Sequence, residues 1–163
     1  MSNLPLPKLL ESTAKIRFPD CDPFNHLNNA RYLDYIINAR EDQILEAYQF
    51  DSHKIARETG LAWVIAQHQI AYLAPAMLME EVCIQSRMLS FSDRIIQIEA
   101  LMWNRDKTIL KAVMWTRLAH YNLQTMRGHT HSEAFLQLFE AVSDPLPAEM
   151  SFEERVKHLK NTL

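Results

Sequence analysis

Four long extended segments follow a single long helical segment in this sequence, and any fold of the chain has to accommodate that order. The helical pattern covers about residues 30–50, and the extended segments cover about 61–72, 81–91, 94–104 and 108–121. The connections SFSD (90–93) and NRDK (104–107) are short, polar and free of glycine and proline, which favours antiparallel hairpins. We therefore predict a mainly antiparallel sheet that bends strongly around one helix.

Apolar side chains recur on one side of the predicted helix, which indicates the side that faces the sheet. They are Leu33, Ile36, Ile37, Ile44 and Tyr48, widened by Tyr32, Tyr35 and Ala39. We expect the neighbouring charged residues Arg40, Glu41 and Asp42 to stay solvated. Alternation in the last two extended segments also predicts one core-facing side in each. The residues on these sides are Ile96, Ile98, Ala100 and Met102, and Leu110, Ala112, Met114 and Leu118.

The two ends of the chain differ from this central part. Residues 1–11 read as a loosely attached arm, and residues 12–18 as a first strand. Near the other end we predict a helix over 133–142 and a final short helix, for which Ser151 and Glu154 have capping-box spacing. This tail packs either on the outside of the sheet or at a subunit contact. With 163 residues, of which 48% are hydrophobic, we expect one domain.

Composition excludes several classes of function. A formal charge of -3 gives no electrostatic footprint for nucleic acid. Two cysteines, Cys21 and Cys83, form neither a disulfide framework nor a zinc-binding pattern, so we expect no metal and a reducing compartment. No apolar run resembles a signal peptide or a membrane span, so a cytoplasmic protein with no membrane contact is expected. The two glycines, Gly60 and Gly128, exclude a glycine-rich phosphate loop.

One stretch concentrates chemically useful side chains, residues 18–35, FPDCDPFNHLNNARYLDY. It lies between a predicted strand and a helix N-terminus, where unpaired N–H groups and the helix dipole stabilise an oxygen that gains negative charge. Asp22 lies just upstream and suits attack on a carbonyl, either as nucleophile or as the base that deprotonates water. Asp and Asn are also common caps and turn formers, so this pattern alone leaves a purely structural role open.

The stretch DCDPFNHLNNARYLDY (20–35) resembles the signature of hotdog-fold thioesterases of the 4-hydroxybenzoyl-CoA thioesterase type, and IAYLAPAMLMEEVCIQSRM (70–88) is similar to a second region of that family. The resemblance in element order extends over about residues 12–121. It implies an α+β hotdog fold, in which a five-stranded antiparallel sheet wraps one long central helix. Residues 130–163 would be a C-terminal helical extension of this single domain.

The resemblance also implies roles for individual residues. Asp22 would be the catalytic carboxylate, and backbone amides near Asn28 and Asn29 would polarise the thioester carbonyl. His26 and Asn28 match the polar positions that accompany it, and Tyr32 matches an aromatic position in the first helical turn that we expect to bind substrate. The family commonly has glycine where this chain has Asn25, a residue that tolerates left-handed backbone and whose side chain alters the pocket.

Other polar residues near the motif receive structural interpretations. We interpret Asp20 as a turn or surface carboxylate, and Cys21 as buried filler, because no histidine or cation accompanies the thiol. We expect His68 and His120 to be core or interface groups.

The implied substrate is an acyl-CoA, with coenzyme A as part of the substrate and no separate cofactor. Its phosphates would be met by scattered cations, for which the candidates are Arg87, Arg94, Arg105, Lys107 and Lys111. The apolar segment 61–72 would be a liability as an unpaired edge strand. This agrees with the family's habit of forming dimers with the active site between subunits, so we expect a homodimer or homotetramer.

We therefore expect an acyl-CoA thioesterase that releases a free acid and CoA. Two alternatives remain open: a thioesterase for acyl carrier protein, and a non-catalytic acyl-binding hotdog protein. The sequence leaves open the identity of the acyl chain and the choice between covalent and water attack.

Overall fold

The computed structural model of the protein describes residues 5–162. Its elements, in chain order, are β1 (Leu9–Lys15), α1 (Arg31–Tyr48), α2 (Ser52–Thr59), β2 (Leu61–Tyr72), β3 (Glu81–Phe91), β4 (Ile95–Asn104), β5 (Leu110–Asn122), β6 (Arg127–Gly128), α3 (Glu133–Val142) and α4 (Phe152–Thr162). Within this described range, no helix is both long enough and apolar enough to cross a membrane.

The strands form one antiparallel sheet with the order β1-β3-β4-β5-β2, and the short strand β6 pairs with the end of β5. The sheet curls around α1, whose Tyr32 and Ile36 are buried against it. This α+β arrangement confirms the predicted hotdog fold. It also confirms that the segment 61–72 is an edge strand, because β2 pairs with β5 alone.

The main core lies between α1 and the concave face of the sheet. On the sheet side it is built from alternate residues of β3, β4 and β5, so the predicted periodicities of helix and strand meet in one cluster. Its most buried members are Ile16, Leu27, Tyr32, Ile36, Val82, Ile84, Ala100, Met102, Ala112 and Met114.

The helix face differs from the expectation at two polar positions. Gln43 is buried, and its amide nitrogen donates to the Ser12 hydroxyl (2.8 Å) and to the Ile84 carbonyl (2.9 Å). Arg40 is only partly exposed and donates to the hydroxyl of the buried Ser86, so the prediction that it is solvated was wrong. The Glu41 side chain stays 41% exposed, and Asp42 is exposed as predicted. Long polar side chains can lie along an apolar surface, and their charges therefore do not mark the outer face of a helix.

Two strand predictions also need correction. The first strand runs from Leu9 to Lys15, so the expected arm supplies its beginning, and Phe18 instead starts a 3₁₀ turn with its ring exposed. Residues 1–4 of the arm lie outside the described residues. Leu110 does not share the core-facing side of β5, because the pairing register shifts between Met102 and Trp103. Leu110 packs with Trp103 on the opposite face of the sheet.

Helix α2 was not foreseen, although its signals are in the sequence. The Asp51 carboxylate caps its start by accepting from the Lys54 amide (2.8 Å), and Gly60 ends it with a φ of 72°. An aspartate and a glycine that bracket eight residues are typical helix boundaries.

The C-terminal extension covers the sheet from both sides. Helix α3 has the predicted bounds and packs Phe139 against the concave face near Ile96 and Ile98. Helix α4 packs Phe152 and Leu159 on the convex face. Its capping box is present, since the Ser151 amide donates to Glu154 (2.7 Å) and the Glu154 amide donates to the Ser151 hydroxyl (3.2 Å). The predicted packing on the outside of the sheet is thus confirmed for α4, whereas α3 packs on the inner, concave face.

Candidate active site

The Asp22 carboxylate is fixed by the turn in which it lies. Its Oδ1 accepts from the backbone amides of Phe24 (2.9 Å) and His26 (3.1 Å), while the Asp22 amide donates to the His26 carbonyl (2.8 Å). Across the described residues, no hydrogen bond reaches Oδ2. Asp22 is therefore held by one oxygen and presents the other, which is the arrangement that a base or nucleophile requires.

Asn25 gives this turn its shape. It has a φ of 61°, a left-handed conformation that asparagine tolerates better than other residues with a side chain. Its amide donates to the Asp22 carbonyl (3.1 Å), and its carbonyl accepts from the Leu78 amide (2.9 Å). The Asn25 side chain is exposed beside Asp22. Asparagine thus supplies the backbone conformation for which the resembling family commonly uses glycine.

Asn28 organises the entry into α1. Its side-chain Oδ1 accepts from the Ala30 amide (3.0 Å), and its carbonyl accepts from the Arg31 amide (2.8 Å), so Asn28 shapes the turn that precedes the helix, while the N-cap itself is Ala30. The Asn28 amide donates to the Asp20 carbonyl (2.9 Å). Because the Asn28 amide already donates to Asp20, it is not available to polarise a thioester carbonyl. Of the two expected donors, this leaves the amide of the next residue.

Asn29 is that residue. Its backbone amide has no acceptor among residues 5–162, and it lies at the positive end of the α1 dipole. The Asn29 carbonyl accepts from the Tyr72 hydroxyl (2.9 Å), which ties the start of α1 to the end of β2. The only signal for this contact in the sequence is that Tyr72 lies in the second region of family resemblance, residues 70–88.

Tyr32 lies beneath this surface. It is buried, its hydroxyl accepts from the Ala76 amide (3.0 Å), and its ring meets the Tyr72 ring edge-on at 5.1 Å. Burial raises the pKa of the Tyr32 hydroxyl. In this position Tyr32 supports the Tyr72 ring from below, whereas the expectation placed it against substrate.

His26 is half-buried beside Asp22, and its ring lies 6.3 Å from that of Phe24. The surface around it is unusually apolar for an exposed region, because several large side chains there are open to solvent. The exposed fractions are 75% for Phe18, 76% for Phe24, 41% for Met77 and 58% for Met79.

A buried ion pair holds the β2–β3 connection against the Asp22 turn. The Lys111 ammonium lies 2.8 Å from Glu80 and donates to the Pro75 carbonyl (2.9 Å). Glu80 in turn accepts from the Met77 amide (2.7 Å). Residues of this connection bond the turn itself, since the Leu27 amide donates to the Ala76 carbonyl (2.8 Å). No local pattern in the sequence indicates the pairing of Lys111 with Glu80.

All five cations suggested for CoA phosphates lie close to a carboxylate, and three of them do so at 2.8 Å. Arg87 and Lys111 lie in buried or partly buried ion pairs, and Lys107 contacts a strand carboxylate at 2.8 Å. The partners are Glu99 and Asp144 for Arg87, Glu80 for Lys111 and Glu11 for Lys107. The expectation that these cations meet phosphates was therefore wrong for Arg87 and Lys111, because the Arg87 guanidinium and the Lys111 ammonium are turned inward. For Lys107, which is exposed, it stays a prediction.

The other two cations are exposed at opposite ends of the sheet. Arg94 lies in the β3–β4 hairpin, beside Asp93. Arg105 lies in the β4–β5 connection, at the end of the sheet where β1 also stops and the Asp22 turn begins, as the pairing of Val82 with Asn104 shows. Arg105 lies 3.5 Å from Glu81, and it shares with Lys107 an exposed position at the end of the sheet that carries Asp22.

The remaining polar residues have structural partners. Asp20 accepts from the Tyr35 hydroxyl (2.7 Å) and lies 3.8 Å from Arg31, in keeping with its interpretation as a turn carboxylate. Partial burial, and then the nearby charges of Asp20 and Asp22, raise the pKa of the Cys21 thiol, which disfavours a nucleophilic thiolate.

The two strand histidines occupy different environments. His68 lies on the edge strand β2 with its Nδ1 2.9 Å from the Thr116 hydroxyl, and burial lowers its pKa. His120 is fully buried and stacks on both Trp63 (4.6 Å) and His131 (4.8 Å), whose rings are hydrogen-bonded to each other. His120 is therefore a core group, as one of the two interpretations predicted.

Comparison with known proteins places this geometry in a family. A family model described as the thioesterase-like superfamily matches residues 16–156 of the chain. The long-chain acyl-CoA thioesterase FadM of Escherichia coli is 30% identical over 79 residues, which are 48% of this chain and 58% of FadM. The match thus spans less than two thirds of the length of that relative.

Solved structures share the fold. A hypothetical protein from Staphylococcus aureus, solved in complex with CoA, has a TM-score of 0.76 at 14% identity, with 93% of this chain and 94% of that chain covered. A 1,4-dihydroxy-2-naphthoyl-CoA thioesterase from Synechocystis has a TM-score of 0.74 at 13% identity, with coverage of 84% and 99%. At these identities the likeness establishes a common fold.

Proposed function

This chain belongs to the thioesterase-like superfamily, and from that membership we propose that it hydrolyses an acyl thioester of coenzyme A to a free acid and CoA. The single observation that carries the proposal is the position of Asp22. Its carboxylate is clamped through Oδ1 by two backbone amides, next to the helix start at which the Asn29 amide has no acceptor within the described chain.

The chemistry follows from these two groups. In the water route, Asp22 Oδ2 takes a proton from water as the water oxygen bonds to the thioester carbonyl carbon, and negative charge develops on the carbonyl oxygen. The Asn29 amide and the helix dipole stabilise that charge more strongly in the transition state than in the ground state. The C–S bond then breaks, and the CoA thiolate receives the proton that Asp22 holds.

A covalent route uses the same carboxylate. Asp22 Oδ2 would bond to the carbonyl carbon and expel CoA thiolate, which leaves a mixed anhydride that water hydrolyses. After an acid quench during a single turnover, the covalent route leaves the acyl group on the Asp22 carboxylate, whereas the water route leaves that carboxylate unmodified. In ¹⁸O-labelled water, label enters the Asp22 carboxylate only in the covalent route, when water attacks the aspartyl carbonyl carbon of the anhydride. Mass spectrometry of the peptide that contains Asp22 distinguishes the two routes.

The substrate side of the proposal has support from the relatives. FadM is named as a thioesterase for long-chain acyl-CoA, and the Synechocystis protein as a thioesterase for 1,4-dihydroxy-2-naphthoyl-CoA. The Staphylococcus aureus protein was solved in complex with CoA. Membership of the 4-hydroxybenzoyl-CoA type is the finer proposal, which rests on the motif at 20–35. We also propose a homo-oligomer that uses the free edge of β2 and the exposed Phe18, Phe24, Met77 and Met79.

The test is release of free thiol from a panel of short, medium, long and aromatic acyl-CoAs by the purified protein. We expect turnover of at least one substrate class and a loss of about 100-fold or more in kcat for Asp22→Asn, which keeps an oxygen to accept the two amides but lacks the charge. The matched control is Asp20→Asn, which changes a neighbouring carboxylate that is already bonded to Tyr35. Unchanged turnover in Asp22→Asn contradicts the mechanism.

The same panel separates the alternatives. Turnover of acyl carrier protein thioesters without turnover of acyl-CoA identifies the carrier protein alternative. Binding of acyl-CoA by calorimetry without release of thiol identifies a non-catalytic binding protein. Thermal unfolding of both variants confirms that any loss of activity is not a loss of fold.

A further inference from the structure

An apolar cavity of about 170 Å³ lies away from Asp22, between α1, the concave face of the sheet and α3. Aliphatic and aromatic side chains form most of its wall, among them Ile36, Ile44, Ile98, Met114 and Phe139. The C-terminal extension supplies part of this wall, because Phe139 belongs to α3. None of the steps described for Asp22 uses this space.

One wall of the cavity carries a cation. Arg40 lines it and donates from Nη1 to the Ser86 hydroxyl (3.1 Å), close to the hydroxyl of Tyr48. Within residues 5–162 no carboxylate forms an ion pair with Arg40. Loss of solvation lowers the pKa of its guanidinium to about 10, so it remains charged at neutral pH. A charged group in an apolar wall without a counter-ion is unfavourable, so an anionic ligand would stabilise it.

The other charged residue in the wall does not fill this role. Glu41 lies 3.1 Å from the His53 ring, and its side chain is 41% exposed, so it belongs to the mouth of the cavity. Its carboxylate is directed to α2, on which His53 lies. Arg40 is therefore the only charged residue among those lining the cavity that faces a ligand inside it.

Two of the elements that border the cavity, α1 and β2, also reach the proposed active site. Arg40 is nine residues along α1 from Arg31, which corresponds to about 14 Å at the rise of an α-helix. On β2, Tyr72 contacts Asn29 at one end, while Trp63 and Ile65 line the cavity toward the other. An acyl chain that starts at the α1 N-terminus and follows this helix would approach Arg40 with its far end.

We propose that the cavity binds the distal part of an acyl chain and that Arg40 binds a carboxylate at the end of that chain, so that the preferred substrate is the monothioester of a linear dicarboxylic acid. The proposal rests on the proposed function for the reaction itself. A carboxylate matches the planar donors of a guanidinium, whereas a terminal methyl group would leave the guanidinium desolvated and unpaired.

The test measures binding without catalysis. The probes are monomethyl suberate and its longer homologues, each paired with the methyl ester of the monocarboxylic acid of the same length. The ester carbonyl takes the place of the thioester carbonyl, so the members of a pair differ only at the distal end. By calorimetry we expect the wild-type protein to bind the best monomethyl ester of a dicarboxylic acid about tenfold more tightly than its paired ligand.

Variants identify the residue responsible. Arg40→Met should abolish the difference between paired ligands, and Arg40→Lys should retain part of it, because lysine keeps the charge without the planar donors. The control Arg57→Met, which changes an exposed arginine of α2, should keep the full difference. Equal binding of the paired ligands by the wild-type protein overturns the proposal, and this outcome does not depend on how any variant folds. A preference for the carboxylate ligand that survives in Arg40→Met also overturns it.

A kinetic arm separates this inference from the proposed function. We expect kcat/KM for the suberic monothioester of CoA to exceed that for octanoyl-CoA by about tenfold, and Arg40→Met to remove the excess. Hydrolysis of octanoyl-CoA with no preference for the diacid overturns this inference and leaves the proposed function standing. A binding preference for the carboxylate ligand without hydrolysis of any thioester supports the role of Arg40 and contradicts the proposed function.

Discussion

The backbone amide of Asn25 donates to the carbonyl of Asp22 across 3.1 Å, and Asn25 holds a φ of 61° to do so. In this turn, the residue that sets the backbone and the residue that carries the proposed chemistry are three positions apart. Asn25→Ala should lower the free energy of unfolding by about 1 kcal/mol, because alanine is less tolerant of left-handed backbone. Urea denaturation of both proteins measures this difference.

Asn25→Gly is the companion variant. Glycine accepts the same φ, so we expect stability within about 0.5 kcal/mol of the wild type. The exposed amide side chain beside Asp22 is lost, so the relative kcat/KM values across an acyl-CoA panel should change. An unchanged substrate profile would show that Asn25 contributes only its backbone conformation.

A second prediction concerns the contact between Tyr72 and Asn29. Tyr72→Phe removes the hydroxyl that donates to the Asn29 carbonyl (2.9 Å), while the ring can still meet Tyr32 edge-on. We expect kcat to fall about tenfold with little change in KM, because the Asn29 amide would be less well placed when charge develops on the carbonyl oxygen. Steady-state kinetics supplies both values.

Tyr121→Phe serves as its control, since Tyr121 lies at the opposite end of the sheet, paired with Gly128 of β6. Equal loss of activity in the two variants would mean that the effect is general and does not pass through Asn29.

Much of the fold follows from local patterns. The bounds of β2, β3 and α3 agree with the sequence, because period-two and helical spacing are properties of a few adjacent residues. The structure differs from the sequence-based prediction where contact with an element distant in the chain determines which way a side chain faces. A register shift turns Leu110 to the convex face, and the sheet and α3 partly bury Arg40, which a helix alone would expose.

The candidate site divides in the same way. Asp22, Asn25 and Asn28 act on residues within a few positions of themselves, so the motif alone points to them. The free amide of Asn29 is different, because it is identified only once Asp20 is seen to accept from Asn28. The pair of Lys111 and Glu80 joins residues from β5 and the β2–β3 connection, a tertiary contact that one sequence does not reveal.

A third prediction concerns pH and the stack of Trp63, His120 and His131. Trp63 donates to His131 Nε2 (3.1 Å), and His131 Nδ1 lies 3.0 Å from the Ser92 carbonyl, an arrangement that needs a neutral ring. Both nitrogens of the buried His120 lack a partner among the described residues. Burial lowers the pKa of both histidines, and for His120 the neighbouring His131 and His129 lower it further.

These lowered pKa values give the direction of the effect. At a pH between the folded-state pKa and the unfolded-state pKa of about 6.5, the unfolded chain binds more protons than the folded chain. The contribution of the neutral histidines to the free energy of unfolding is therefore fully present above about pH 6.5 and decreases as the pH falls below it. His120→Phe keeps an aromatic ring in the stack and removes one titrating group. We expect it to reduce the loss of unfolding free energy between pH 7 and pH 5 by about 1 kcal/mol.

Chemical denaturation at a series of pH values measures this slope, with His158→Phe, an exposed position on α4, as the matched control. The same pH slope in His120→Phe and wild type would show that His120 does not titrate differently on unfolding.

The last prediction concerns the ionic network that fastens α4 to the convex face. Glu99 is buried and accepts from the Arg155 guanidinium (2.8 Å), from Arg87 (2.8 Å) and from the Trp115 indole (3.0 Å). Burial alone would raise the pKa of Glu99, but Arg155, Trp115 and Arg87 outweigh it and the pKa is lowered. Arg155→Met removes one of these donors from a buried carboxylate, so we expect a loss of about 3 kcal/mol in unfolding free energy.

Double-mutant analysis shows whether this loss comes from the network. In the presence of Glu99→Gln, Arg155→Met should cost less than it does alone, because the buried charge that it would strand is already gone. Lys157→Met, an exposed change on the same helix, should have an effect within about 0.5 kcal/mol of zero. Additive effects of Glu99→Gln and Arg155→Met would instead mean that α4 is held by the packing of Phe152 and Leu159, and that the ion pair contributes nothing specific.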